Sequence, residues 1–213
     1  MKKTTNEIYE ELFLRYPILC PIKEQIKGAF DILVSTYKNG GTLFVCGNGG
    51  SASDSEHIVG ELLKSFKKPR PVDKKTAKAL KNLGERGEYI LSNLEGALPA
   101  VSLISQSAIV TAFANDRSWD TAMAQQLYGL SKSGDCLIAI STSGNSKNCV
   151  YAALLAKAKG LKTIAFAGVG GGELLRVCDE CIAVPEKETY KVQELHLPIY
   201  HCLCAMLEEE FFD

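Results

Sequence analysis

Residues 135–168 read DCLIAISTSGNSKNCVYAALLAKAKGLKTIAFAG. Two short apolar runs, LIAI and TIAFA, flank a stretch with helical spacing, so the segment reads as strand, helix, strand. Parallel strands need a crossover of this kind. Strands that are apolar on both sides belong to a sheet covered by helices on both faces. The same rhythm extends outward in both directions. Upstream lie LFVC (43–46) and PAVSLIS (99–105) as strands, SAIVTAFAND (107–116) as helix or turn, and TAMAQQLYGLSK (121–132) as a helix. Downstream come a short helix in GGELLRVCD (171–179), a strand in CIAVP (181–185) and a long helix from about Lys191 to Phe212. Before the first strand, Thr4 to about Tyr16 and Ile22 to Lys38 have helical spacing, separated at Pro21. The expected architecture is α/β: a three-layer sandwich on a central parallel sheet of about five strands, Rossmann-like, with a helical N-terminal extension. One domain spans 1–213, with the N-terminal helices in 1–38 and a polar, lysine-rich insert at 67–96 predicted to carry a helix.

Composition narrows the classes of function. Of 213 residues, 46% are hydrophobic and 23% charged, an ordinary balance for a chain that buries one core. A formal net charge of -1 gives no bulk electrostatic reason to bind nucleic acid. The opening MKKTTNEIYEELFLRYPILC is broken by acidic residues, unlike a signal peptide, and no apolar run reaches the ~20 residues that span a bilayer. A cytoplasmic protein with no membrane or nucleic-acid partner is expected. The eight cysteines lie mostly in apolar segments and read as small buried hydrophobes, including Cys178 and Cys181 of CDEC, which has no second CxxC and no histidine close behind it.

In an open α/β sheet, ligands bind beyond the carboxyl ends of the strands. Three strand ends carry unusual polar loops: CGNGGSAS after LFV, STSGNS after LIAI and AGVGGGE after TIAF. STSGNS (Ser141–Ser146) offers hydroxyls and free N–H groups at a helix start, where the dipole also favours an anion. A plain helix cap needs one such residue, not six in succession. No GK[ST] follows, so the loop is not a nucleoside triphosphate loop. In GNGGSAS, Gly47, Gly49 and Gly50 permit close backbone approach while Asn48 and Ser51 can donate or accept. Further along, His57 and Glu61 share a helix face, and the other two histidines, His196 and His201, lie on the final helix near Gln193. Spacing alone leaves these as structural residues or as metal and acid–base groups. Eight residues separate Gln193 from His201, about 12 Å of helical rise. Either the helix starts after Gln193 or the two side chains serve sites in different subunits. Asn115 and Asp116 could meet a sugar hydroxyl, although ND is also a turn signal.

CGNGGSASDSEHIVGEL, PAVSLIS with AFAND, GDCLIAISTSGNSKN, AKGLKTIAFAG and VQELHLPIYH together resemble the sugar isomerase (SIS) domain family, and within it the phosphoheptose isomerases. The resemblance implies a homotetramer with shared active sites, and one divalent metal, typically zinc, held by the positions matching His57, Glu61, Gln193 and His201. It implies substrate contacts at Asn48, Gly49, Gly50, Asn115, Asp116, Ser141, Thr142, Ser143 and Ser146, with the serine loop on phosphate. Glu61 and His201 match the acid–base pair. The implied reaction, in heptose biosynthesis, converts sedoheptulose 7-phosphate into D-glycero-D-manno-heptose 7-phosphate through a cis-enediol. The alternatives are another sugar phosphate, or a non-catalytic tetrameric adaptor of the kind that binds the replication initiator. Retention of the histidine, glutamate and glutamine set argues for catalysis. Two departures stand out: Tyr190 and Lys191 precede Gln193 where the family commonly has an acidic–basic pair, and the insert is long. Lys64 and Lys67 are candidates for the cation expected shortly after Glu61.

Overall fold

The structure, a computed structural model, describes residues 1–212. Five parallel strands run in the order β2-β1-β3-β4-β5: β1 (Leu43–Cys46), β2 (Ala100–Ser102), β3 (Cys136–Ile140), β4 (Lys162–Ala167) and β5 (Glu180–Ala183). Register places Leu43 opposite both Ala100 and Cys136, and Cys136 opposite Lys162. The α/β sandwich on a five-stranded parallel sheet, behind a helical N-terminal region, is as expected.

Alternation along each strand sorts its side chains into two cores. Leu43, Val45, Ile138, Ile140, Ile164 and Phe166 face one layer, built by α1 (Lys3–Arg15), α2 (Lys23–Lys38), α3 (Gly50–Leu63) and α10 (Thr189–Phe211). Phe44, Cys46, Leu137, Ala139, Ala165 and Ala167 face the other. There, α8 (Lys147–Ala158) presents Ala152, Ala153 and Ala156 toward the sheet's alanines. Small residues on both sides let α8 lie close to β3 and β4. The second layer is completed by α6 (Ser107–Asp116), α7 (Ala122–Leu130) and the short α9 (Leu174–Val177).

The insert holds two helices rather than the one expected: α4 (Lys74–Lys81) and α5 (Glu85–Ser92). Asp73 caps α4 by accepting from the N–H groups of Lys75 and Thr76. Gly84, at φ +70°, makes the turn, and a Cβ at Gly87 would overlap the Leu80 carbonyl, so the hairpin closes only on glycine. Its base is sealed by backbone bonds from Gly96 N–H to the Arg70 carbonyl (2.8 Å) and from Leu98 N–H to the Leu62 carbonyl (2.9 Å). Apart from each other, neither helix packs extensively on any other element.

One buried ion pair joins this base to the final helix. Arg70 and Glu208, with side chains 0% and 2% exposed, meet at 2.8 Å. Glu208 Oε1 also accepts from Phe66 N–H (2.8 Å), and Oε2 from Lys67 and Lys68 N–H (2.7 and 3.2 Å). Arg70 donates its other N–H groups to the Leu62 and Glu61 carbonyls at the end of α3 (2.8 and 2.9 Å). Burial alone would raise the Glu208 carboxyl. The N–H groups of Phe66 and Lys67 and the Arg70 guanidinium outweigh it and hold the carboxyl below the usual glutamate value.

The cysteines are all free thiols, and six of the eight are buried. Burial pushes Cys178 up to about 12 and Cys181 up to about 11, which suits packing rather than redox chemistry.

Candidate active site

Because β1 and β3 are adjacent and parallel, the two polar loops leave the same edge of the sheet side by side. They are fastened by a reciprocal amide pair. Asn48 Nδ2 donates to Asn148 Oδ1 (2.9 Å), and Asn148 Nδ2 donates to Asn48 Oδ1 (2.8 Å). Asn148 Oδ1 also accepts the Cys149 N–H at 3.0 Å, in the first turn of α8. Asn148 is 4% exposed. Much of the Asn48 amide is therefore committed to a neighbour. Its sequence context suggested a free donor or acceptor, and sequence gave no sign of Asn148 as its partner.

The serine loop folds around its own hydroxyls. Ser141 Oγ lies 2.9 Å from Ser146 Oγ and 3.5 Å from Ser143 Oγ, and accepts the Ser146 N–H at 3.3 Å. Gly144 has φ +67°, and a Cβ there would overlap the Gly171 carbonyl of the loop after β4. That loop is bound on both sides: Leu174 N–H to the Gly144 carbonyl (3.0 Å), and Gly168 N–H to the Thr142 carbonyl (2.9 Å). Three hydroxyls thus gather at the start of α8, an arrangement suited to phosphate. In the glycine loop, Gly49 has φ +55°, and Ser51 is buried with its backbone beneath Gly47. A Cβ at Gly50 would lie 2.5 Å from Gln193 Nε2.

That contact locates Gln193. The final helix begins at Thr189 and continues through Pro198, so Gln193 and His201 occupy one helix. It lies alongside α3 in the same direction, with Gln193 at Gly50 and Tyr200 at Asp54 and His57. Gln193 therefore belongs to the glycine-loop end. His57, Glu61 and His201 gather about two helical turns further on.

Those three side chains share one corner. His57 Nε2 is 3.2 Å from Glu61 Oε1 and 3.4 Å from His201 Nε2. Glu61 Oε2 pairs with Lys64 Nζ at 2.8 Å, so Lys64 rather than Lys67 supplies the cation beside the glutamate. Two ligands on one tetrahedral zinc ion stand about 3.3 Å apart, given bonds of about 2.0–2.1 Å. The two separations match such an edge, and imidazole nitrogens with a carboxylate are suitable donors. No three His, Cys, Asp or Glu side chains among the described residues close on a common ion position as they stand. Both short edges run through His57, so the donor pairs are formed before the triangle is. Burial lowers His201 below the usual imidazole value, His57 adds to this and Glu61 opposes it. The balance favours the neutral imidazole at His201. His196, one turn before Tyr200, has a different character. It is fully buried, bonded to the Ala167 carbonyl at 3.3 Å, and pushed down to about 4 by desolvation.

Asn115 and Asp116 end α6, exposed, and pair with each other at 2.9 Å. The structure does not bring them into contact with either loop. Asp54 and Tyr200 were not singled out from sequence, yet Tyr200 touches His57 and Asp54 touches Tyr200. Burial raises the Asp54 carboxyl, with the Tyr200 bond and His57 pulling the other way. Asp54 stands three residues before His57, on the same helix face, which is the one signal that could have found it.

Comparison with known proteins identifies the family. Residues 19–96 and 90–168 match the SIS domain family. A phosphoheptose isomerase of Clostridium acetobutylicum is 38% identical over 189 residues, covering 89% of this chain and 84% of its own. One from Nitratiruptor sp. is 35% identical over 210 residues, covering 99% and 94%. The solved structure of a phosphoheptose isomerase from Francisella tularensis superposes with a TM-score of 0.75 at 27% identity, covering 98% of this chain and all of that one.

Proposed function

This chain belongs to the SIS domain family and is an aldose–ketose isomerase of the phosphoheptose isomerase type, and from that premise we propose how its residues isomerise sedoheptulose 7-phosphate. The observation that carries the reading is the convergence of His57, Glu61 and His201 at 3.2 and 3.4 Å, on helices that also position the glycine loop.

The phosphate sits on Ser141, Thr142, Ser143 and Ser146 at the start of α8. Asn48, Gly49, Gly50 and Ser51 line the sugar chain, with Gln193 beside Gly50 and Asn115 and Asp116 reaching sugar hydroxyls. Anchoring the far end of the substrate places C1 and C2 at the catalytic corner and removes most of their freedom before reaction. Glu61 takes the proton from C1 and the electron pair moves toward C2, while the carbonyl oxygen gains a proton by exchange through His201, which starts and ends neutral. The resulting cis-enediol collapses by the reverse exchange: a proton leaves the C1 hydroxyl and one returns to C2, giving the aldose. His57, Glu61 and His201 would hold a divalent metal such as zinc, with Gln193 of a second copy as the fourth ligand. Bound there, the ion would polarise the carbonyl. The helical rise between Gln193 and His201 supports sites shared between copies, because one chain does not bring the two together; the homotetramer is what the family resemblance implies. Eight free thiols, with no helix among the described residues able to cross a membrane, support a cytoplasmic setting.

The test is turnover of sedoheptulose 7-phosphate by wild type and Glu61→Gln, with metal content measured in parallel. Wild type turns over, and the variant loses about 10²–10⁴-fold in kcat, the range of a general base. Wild type without turnover sinks the reading. Undiminished zinc in His57→Ala and His201→Ala sinks the metal assignment alone.

A further inference from the structure

Behind the catalytic corner lies a second line of contacts. Tyr200, 2% exposed, donates its hydroxyl to Asp54 Oδ1 at 3.2 Å, and the same oxygen is 3.1 Å from His57 Nδ1. The Tyr200 ring stands edge-on to the His57 and His201 rings, with centroids 5.5 and 4.9 Å away. The other Asp54 oxygen, Oδ2, is buried and has no protein partner.

The direction of these bonds follows from counting protons. A phenol has one O–H, and a carboxylate only accepts. Tyr200 gives its proton to Asp54, so its oxygen faces His57 with lone pairs alone. A bond at 3.1 Å then requires the hydrogen to come from His57 Nδ1. A neutral imidazole carries a single N–H, so Nε2 keeps its lone pair. That nitrogen is the one turned toward Glu61 and His201.

We infer that Asp54 and Tyr200 are positioning residues that hold His57 as its Nδ1–H tautomer and aim its Nε2 lone pair into the catalytic corner. The consequence for metal binding rests on the reading of His57 as a ligand given above; the tautomer does not. A further result is that Nε2 of His57 and Oε1 of Glu61 present lone pairs to each other, an arrangement that a cation between them relieves. Outer partners of this sort typically change metal affinity by about 10–100-fold.

The experiment is nitrogen NMR of the imidazole side chains in metal-free protein at alkaline pH, where imidazole is neutral, with zinc affinity measured separately by competition with a chelator. With three histidines in the chain, assignment needs only one substitution for each. Wild type shows His57 protonated at Nδ1. Tyr200→Phe, which keeps the ring, gives a mixture of tautomers and weakens zinc by about 10–100-fold. Asp54→Asn lets the amide donate to the tyrosine oxygen, reverses the chain and moves the proton to Nε2. A wild type already protonated at Nε2 overturns the inference, as does Tyr200→Phe with both tautomer and zinc affinity unchanged. If the tautomer is as inferred but His57→Ala binds zinc normally, the ligand assignment fails and the positioning role stands.

Discussion

Replacing Glu208 with glutamine is the sharpest test of what holds the two site-bearing helices together. Each carboxylate oxygen accepts two bonds: Oε1 from Phe66 N–H and Arg70 Nε, Oε2 from Lys67 and Lys68 N–H. A glutamine keeps one acceptor and turns an NH2 group toward the other pair of donors, so two bonds are lost. At about 1.5–3 kcal/mol for a hydrogen bond to a charged group, the loss is about 3–6 kcal/mol. Removing one partner of a buried ion pair costs about 3–5 kcal/mol, so the two routes agree. Arg70, with no exposed side-chain surface, would remain as an uncompensated charge. Denaturant unfolding at one fixed protein concentration measures this, since assembly makes stability depend on concentration. The pH dependence adds a second readout. A carboxyl whose folded pKa lies below its unfolded value, about 4.3, contributes stability above the unfolded value and loses it as pH falls through the folded one. Wild type therefore loses stability below about pH 4 more steeply than Glu208→Gln. A double change, Arg70→Met with Glu208→Leu, should cost less than the two single changes summed. Glu208→Gln within about 1 kcal/mol of wild type would refute the reasoning, because the two lost charge-assisted bonds would then contribute no more than one ordinary bond.

Two further outcomes follow from the loops. Asn148→Ala removes both amide bonds to Asn48 and should raise KM about tenfold while leaving kcat within about threefold, for a loss near 1–2 kcal/mol in loop positioning. Asn148→Asp should be no milder, since it sets an acceptor against Asn48 Oδ1; steady-state kinetics of both variants checks this. Gly144→Ala strains a residue at φ +67° by about 1–2 kcal/mol and overlaps the Gly171 carbonyl, so phosphate-dependent binding should fall more than tenfold, read by titration with inorganic phosphate or substrate.

Much of the architecture was legible because burial on both faces leaves a strong mark. LFVC, LIAI and TIAFA coincide with β1, β3 and β4 within a residue or two. Apolar strands bounded by glycine have few alternatives. The hairpin in the insert was read as one helix, because a lysine-rich stretch has no core-facing period to divide it, and the division rests on Gly84 and Gly87. Spacing does not set Arg70 apart from Lys64, Lys67 and Lys68; only the arrival of Glu208, far along the chain, makes it a buried cation. Asp54, Asn148 and Tyr200 were missed for the same reason. Spacing shows which face a residue occupies, but a hydrogen-bond partner a hundred residues away is a property of packing. Helical rise alone showed that Gln193 and His201 could not meet on one regular helix, and the start of that helix at Thr189 decided between the two alternatives.

The sealed base of the α4–α5 hairpin has a consequence for how this chain can be altered. Everything from Pro71 to Glu95 leaves and re-enters through neighbouring backbone groups, at Arg70 and Gly96, that are already bonded. Closing that gap with a short turn asks little more of the chain than the existing loop does, since closure entropy grows only slowly with length. The hairpin is in this sense a detachable cassette on a fixed socket, and the socket is the buried Arg70–Glu208 pair. Segments of quite different size could be exchanged there without disturbing either core, a few residues from Glu61.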